Sequence, residues 1–323
     1  MQIFDKGKIY NFMKFRYAAF AFSAILMLGS MFLLFFQGFN YGIDFSGGTL
    51  IQVKYDQKAD LALIRKTINK VDFLKDAAVT EFGSDQEIVI RYSSAHDKVQ
   101  ENLNAKMNEI LKPTGNFEIR RVDVVGPKVG DDLKQKGIMA VAVSLVLILI
   151  YIAVRFEWRF AIAAIFSEFH DVIITIGAII LFKIDFNLEI LAAILTILGY
   201  SLNDTIIVFD RIREGIKESK FAKINDVINE AVSATLSRTI LTSFTTLISV
   251  AILLLFGGDM IYNFSFVMMI GIVFGTFSST FIAAQSLIWF KFNVNKYREF
   301  LAEKQRKIRE KEKIRAMYEK GTI

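Results

Sequence analysis

The sequence contains no cysteine, which excludes disulfides and any thiolate metal site. It has only two histidines, His96 and His170. His170 is followed by Asp171, yet the further His and Asp ligands of a His-Asp metal centre are missing, so no metal is expected. The glycine pair at 47 and 48 is not followed by GK[ST] and lacks a strand–loop–helix setting, which rejects a phosphate-binding loop. No A-x-A site follows the first apolar run, and that run is too long for a signal peptide, so it is expected to stay as an anchor. Prolines number two in 323 residues. What the chain does have is hydrophobic length: 53% of its residues are hydrophobic, 31 of them Phe, gathered in blocks that read as transmembrane helices.

Six spans are expected, at 17–36, 137–154, 160–182, 186–209, 231–256 and 263–290. The formal charge of +6 lies between and beyond these spans, which fits membrane topology rather than nucleic acid. Segments 1–16, 155–159, 210–230 and 291–323 carry most of the Lys and Arg near the spans, the last with eleven against five Glu. The opposite short loops, 183–185 and 257–262, hold one Lys and two Asp. Both termini are therefore expected in the cytoplasm. The expected division is a cytoplasmic N-terminus (1–16), a first membrane helix (17–39), a periplasmic domain (40–136), a five-helix bundle (137–290) and a basic cytoplasmic tail (291–323). The tail reads either as a docking segment or as a solvated helix held by i,i+4 Glu–Lys pairs.

Within 40–136, TLIQVKY (49–55) alternates like a strand, and 58–71 has helical spacing. AAVTEF (77–82) and QEIVIRY (86–92) read as a hairpin, 95–111 as a helix and NFEIRRVDVV (116–125) as a fourth strand. This βαββαβ order predicts a ferredoxin-like α+β domain. His96 reads as a solvated helix residue. Gly42, Asp44, Gly47 and Gly48 mark the entry to the domain; Gly126, Pro127 and Gly130 mark its exit. Gly47 and Gly48 are expected to supply unusual backbone angles in a tight turn, and Pro127 with Gly126 and Gly130 to break the last strand.

Ionisable side chains inside a span cost about 2.5–3.5 kcal/mol on insertion scales and are functional candidates by default. Glu168, His170 and Asp171 lie in the third span, Glu168 roughly 14 Å from its cytoplasmic end. Asn203 and Asp204 lie in the fourth span, and Arg238 in the fifth. By residue count Asp204 and Arg238 both sit about 9 Å from the cytoplasmic edge, on consecutive helices, and are expected to pair. Such a pair is equally a proton switch or a static lock on helix register. For the three residues of the third span the open readings are a proton path and helix–helix hydrogen bonding. The serines and threonines of 231–250 read as packing residues, and the GxxxG spacing at 271–275 as a close helix approach.

GIDFSGGT, VGPKVG, the His-Asp pair, YSLNDTIIVFDRIRE and SRTILTSFTTL together resemble the SecF family of bacterial protein-export subunits, which is of RND type. The resemblance covers most of the chain; only the tail lies outside its motifs. It implies a non-enzymatic subunit of the inner membrane, with no cofactor. Its expected partners are SecD, the SecY–SecE–SecG channel, a YajC-type small subunit and the preprotein in transit. It also implies that the proton-motive force assists export, with Asp204 as relay acid and Arg238 as its basic partner; the family's further membrane acid belongs to SecD. Proton gain and loss would reorient the outer domain through its two glycine junctions. The rival readings are an RND-like exporter of lipids or small molecules and a purely structural subunit that stabilises SecD.

Overall fold

The computed structural model describes residues 8–75, 77–93, 103–218, 223–290 and 294–319. Among the described residues, six helices are long and apolar enough to cross a membrane. The first, α1 (Arg16–Phe36), leads to a single short turn of helix, α2 (Ile43–Ser46). The outer domain follows as β1 (Gly48–Tyr55), α3 (Leu61–Ile68), β2 (Ala78–Phe82), β3 (Ser84–Tyr92), α4 (Leu103–Leu111) and β4 (Phe117–Val125). The chain then returns through α5 (Pro127–Arg155), α6 (Trp158–Leu181), α7 (Leu188–Glu218), α8 (Ile224–Phe256) and α9 (Asp259–Ser278). A π turn at Ser279–Ala283 joins α9 to α10 (Ala284–Trp289), and α11 (Val294–Glu319) closes the chain.

The outer sheet has the order β2-β3-β1-β4 with antiparallel neighbours throughout. Each helical crossover therefore skips one strand, which is the split-βαβ connection. Alternation along β1 and β3 puts Ile51, Val53, Ile88 and Ile90 beneath α3 and α4, against Ile64, Ile68, Met107 and Leu111. The hairpin turns at Gly83, whose φ of +68° suits glycine. The first part of the helix expected over 95–111, with His96, lies outside the described residues.

The second membrane helix departs from expectation. It starts at Pro127, so residues 127–136 belong to α5 and not to the outer domain. Pro127 at the first helical position has a preset φ and needs no hydrogen-bond acceptor, so it opens a helix where it was read as the end of a strand. α5 and α8 bury little of their apolar surface, whereas α6, α7 and α9 bury half or more of theirs. These three form the centre of the bundle. Two apolar cores lie along it, an inner one around Phe160, Phe209, Val227 and Ile228 and an outer one around Ile179, Ile194, Val267 and Ile272. At the inner end, Tyr297 of α11 is buried beside Phe160, and the Arg298 Nε–H donates to the Ile216 carbonyl at 2.6 Å. Leu301 still packs against the inner core; beyond it the described side chains of the tail helix are exposed and include the Glu303–Lys307 pair at 2.7 Å.

Lipid supplies no hydrophobic drive between helices, so small residues that admit close approach matter most. A Cβ on Gly271 would collide with Ile197, and one on Gly275 would lie 3.0 Å from the Ser201 Cβ, so the GxxxG spacing does join α9 to α7. Gly177 has the same role between α6 and α1, where a Cβ would run into Ser30. Gly177→Leu is therefore expected to push α1 off the bundle at a cost of about 1–3 kcal/mol or more. Earlier loss of monodisperse protein on heating, relative to a Gly29→Leu control with no atom within 4 Å of its added Cβ, is the measurement.

Candidate functional site

Between the two apolar cores lies a polar layer built by α6, α7, α8 and α9. Glu168 and Asp171 are one helical turn apart on α6, and both are fully buried, as is His170 between them. Asp171 accepts three hydrogen bonds. Ser201 of α7 and Ser278 of α9 each donate a hydroxyl to Oδ2 at 2.6 Å, and His170 Nδ1 lies 2.8 Å from Oδ1. Asp171 thus ties three helices together. Ser278 follows the GxxxG spacing and reads in the sequence as part of a close helix approach, not as a ligand of Asp171; Ser201 does not stand out, although it sits one turn from Asp204. Among the described residues no group of three His, Asp or Glu is placed to hold a metal ion.

Asp204 is buried on the inner face of α7, 1% exposed. Its Oδ2 accepts from the Ser243 hydroxyl of α8 at 3.4 Å, and Ser243 in turn lies 2.7 Å from the Thr276 hydroxyl of α9. Its other carboxylate oxygen has no hydrogen-bond partner among the described residues. Asn203 points the other way and is exposed, so it does not join the layer.

Arg238 does not pair with Asp204. It is exposed, and no ion pair within 4.0 Å joins the two among the described residues. The reason lies in helix geometry. Side chains lean toward the N-terminus of their own helix. On antiparallel helices two residues at one depth lean apart: Asp204 toward the outer end of α7, Arg238 toward the inner end of α8. The buried stripe of α8 runs through Val232, Thr235, Thr239 and Ser243, which sets Arg238 about 100° off that stripe. Its charge still lies within electrostatic range of Asp204.

The two glycine junctions form one packed joint rather than two free linkers. Gly47 and Gly48 adopt φ of +69° and +123°. A Cβ on Gly47 would lie 2.9 Å from the Pro127 Cα, and one on Gly130 2.9 Å from the Gly47 nitrogen, so α2 and the start of α5 touch backbone to backbone. Gly126 has an ordinary φ of −67° and no atom within 4 Å of such a Cβ. Gly42 donates its N–H to the Phe186 carbonyl at 2.8 Å, and Phe186 donates to Asn40 at 2.7 Å. Asp44 accepts the Leu188 N–H at 2.9 Å, which caps the outer end of α7. Beside it Arg91 of β3 pairs with Asp185 at 2.5 Å, and Asn40 also donates to that carboxylate. Burial pushes the Asp185 carboxyl above the usual carboxylate range, against the pull of Arg91. The outer domain is thus clasped to the α6–α7 turn. A cleft at this clasp is lined by Asp44, Gln52, Arg121, Asp123 and Glu189.

Residues 106–293 match the family described as "Protein export membrane protein SecD/SecF, C-terminal", and residues 32–59 match the "SecD/SecF GG Motif". Over 323 residues, all of both chains, the sequence is 46% identical to the protein translocase subunit SecF of Helicobacter pylori strain ATCC 700392 / 26695. The chain belongs to the SecF family. It is also 42% identical over 285 residues to the protein translocase subunit SecF of Vibrio alginolyticus, covering 88% of this chain and 90% of that one. The crystal structure of SecDF from Thermus thermophilus, a translocon-associated membrane protein, superposes with a TM-score of 0.81 at 32% identity. That match covers 88% of this chain but 39% of SecDF, so the SecF-family chain spans about two fifths of that longer protein. The matched "GG Motif" contains Gly47 and Gly48, the pair whose positive φ values make the packed joint.

Proposed function

We propose that this SecF-family chain works with SecD beside the SecY–SecE–SecG channel in the bacterial cytoplasmic membrane, with a YajC-type small subunit as a further partner. Both termini face the cytoplasm, and the sheet domain stands on the far side, where the preprotein emerges. The chain couples the proton-motive force to late export. The observation that carries this reading is Asp204, a buried carboxylate with one long hydrogen bond and one oxygen unpartnered among the described residues, in a chain that matches SecF from end to end. An acid held this loosely in a membrane can exchange a proton without dismantling a strong network. Moving one charge through 100 mV supplies about 2.3 kcal/mol, enough to bias a domain motion.

In this reading a proton on Asp204 alters its contact with Ser243, and through Thr276 the packing of α7, α8 and α9. Arg238 acts on Asp204 through its field from the exposed face of α8. SecD supplies the further membrane acid. No covalent chemistry and no cofactor are needed. In cells whose only copy carries Asp204→Asn, pulse-labelled preprotein export is expected to slow roughly fivefold or more, the effect of about 1 kcal/mol of lost coupling. Co-purification with SecD is expected to persist. Normal export from an intact complex would make Asp204 a packing residue.

A further inference from the structure

Asp204 is not the least satisfied acid in the membrane. Glu168 is fully buried at the middle of α6, and neither of its carboxylate oxygens has a hydrogen-bond partner among the described residues. An ionised carboxylate in that position would be an unpaired buried charge, several kcal/mol too costly to persist. One turn along α6 from it, Asp171 holds the Ser201 hydroxyl of α7, which brings that hydroxyl alongside Glu168. A serine hydroxyl has one hydrogen and two lone pairs, and Ser201 spends its hydrogen on Asp171 Oδ2 at 2.6 Å. It has no hydrogen left for Glu168. It does have a lone pair, which only a protonated Glu168 can use.

Asp171 has the opposite surroundings, with three donors around one carboxylate. Acceptance of that many hydrogen bonds is the pattern of the ionised form. His170 fits as the neutral Nδ1–H tautomer, because its buried Nε2 faces no hydrogen-bond partner among the described residues. A cationic ring would leave a charged N–H unsatisfied there. The helices packed on α6 bring one further carboxylate to this layer, Asp204, which lies a turn along α7 from Ser201 and has its own hydroxyl partner, Ser243 of α8, itself bonded to Thr276 of α9. The membrane stretches of α1, α5 and α9 at this depth contain no acid or base.

We propose that Glu168, Ser201 and Asp171 form a second proton-holding site within the membrane, separate from Asp204, in which Glu168 carries the proton and Ser201 relays it to Asp171. The transfer balances as a paired shift. The Glu168 proton passes to the Ser201 oxygen while the Ser201 proton passes to Asp171 Oδ2. One O–H bond breaks and one forms at each end, the net charge of the site does not change, and the carboxylate left on Glu168 is no longer unpaired, because the hydrogen now on Ser201 donates to it. The ligand is a proton, and the site can store it inside one chain without any acid from a partner. The inference extends the export reading, but its test does not depend on export.

The test is infrared spectroscopy of the full chain reconstituted in lipid at neutral pH, read in the protonated-carboxyl region. The wild type is expected to show a band that moves on H/D exchange, that Glu168→Gln abolishes and that Asp204→Asn leaves in place. Ser201→Ala is expected to shift the same band, because its acceptor is gone. An unaltered spectrum in Glu168→Gln would overturn the site, and an unmoved band in Ser201→Ala would overturn the relay. If Glu168→Gln does not fold, carboxyl-labelled ¹³C-glutamate in the wild-type chain replaces it: a band that fails to shift with the label overturns the proposal. Loss of export in Asp204→Asn, or its absence, leaves these readouts unchanged.

Discussion

Gly48→Val is expected to leave the chain without a docked outer domain. Gly48 opens β1 at a φ of +123°, a conformation that costs a residue with a side chain about 1–3 kcal/mol. A Cβ there would also lie 2.6 Å from the Tyr92 carbonyl oxygen. That oxygen is backbone at the end of the β1–β3 ladder, where Thr49 is paired with Tyr92, so it cannot swing aside. Overpacking adds about 1–3 kcal/mol. Together these take away a large share of the roughly 5–15 kcal/mol that holds a domain folded. Protease with access to the sheet domain's side of the membrane is expected to cut 48–125 rapidly in Gly48→Val membranes and slowly in wild type. Gly126→Ala is the control: its φ is ordinary and the space beside it open, so its cleavage rate is expected to match wild type. Equal sensitivity of the two variants would mean that the joint is a loose linker after all.

Asp171→Ala is expected to be the most damaging single change in the membrane layer. It removes in one step the acceptor of two serine hydroxyls and a histidine N–H; Ser278 can fall back on the Gly275 carbonyl at 3.0 Å, while Ser201 and His170 lose theirs. Hydrogen bonds between membrane helices average about 0.6 kcal/mol each, because the unpacked helices find other partners. Bonds to a charged acceptor are worth about 1.5–3 kcal/mol. A loss of roughly 2–5 kcal/mol follows, spread over the α6–α7 and α6–α9 contacts at once. Asp171→Asn keeps one oxygen acceptor and is expected to recover part of it. The measurement is the temperature at which detergent-solubilised protein loses its monodisperse peak, expected in the order wild type, Asn, Ala. An Ala variant as heat-resistant as wild type would show that the three bonds do not hold the bundle.

The features legible in the sequence were those written in local chemistry. The apolar blocks gave the spans, alternation gave the four strands of the sheet, and the glycines at 47, 48, 271 and 275 announced unusual backbone or close approach. The residues that escaped are those whose importance is set by a neighbour from elsewhere in the chain. Ser201 looks like any small residue of a membrane helix, and Ser278 like a mere continuation of the GxxxG contact, until Asp171 stands between them. Gly177 is one glycine in an apolar run until Ser30 of α1 lies against it. The expected Asp204–Arg238 contact failed for a different reason. Residue counting gives the depth of a Cα, whereas contact depends on where the side chain leans, and antiparallel helices send the two in opposite directions. The start of α5 was misplaced because Gly-Pro reads as a break from one side and as a helix N-terminus from the other.

The clasp at Phe186 makes a lever of the α6–α7 pair. Asn40, Gly42, Asp44 and Arg91 grip the turn between the very helices that carry Glu168, Asp171 and Asp204. From Asp204 to that turn is about 27 Å at 1.5 Å per residue, so a tilt of about 5° pivoting near the acid sweeps the tip by about 2 Å. That is more than a hydrogen bond tolerates. The outer domain must then either travel with the tip as a geared part or let go of it altogether; slack is not an option this joint offers.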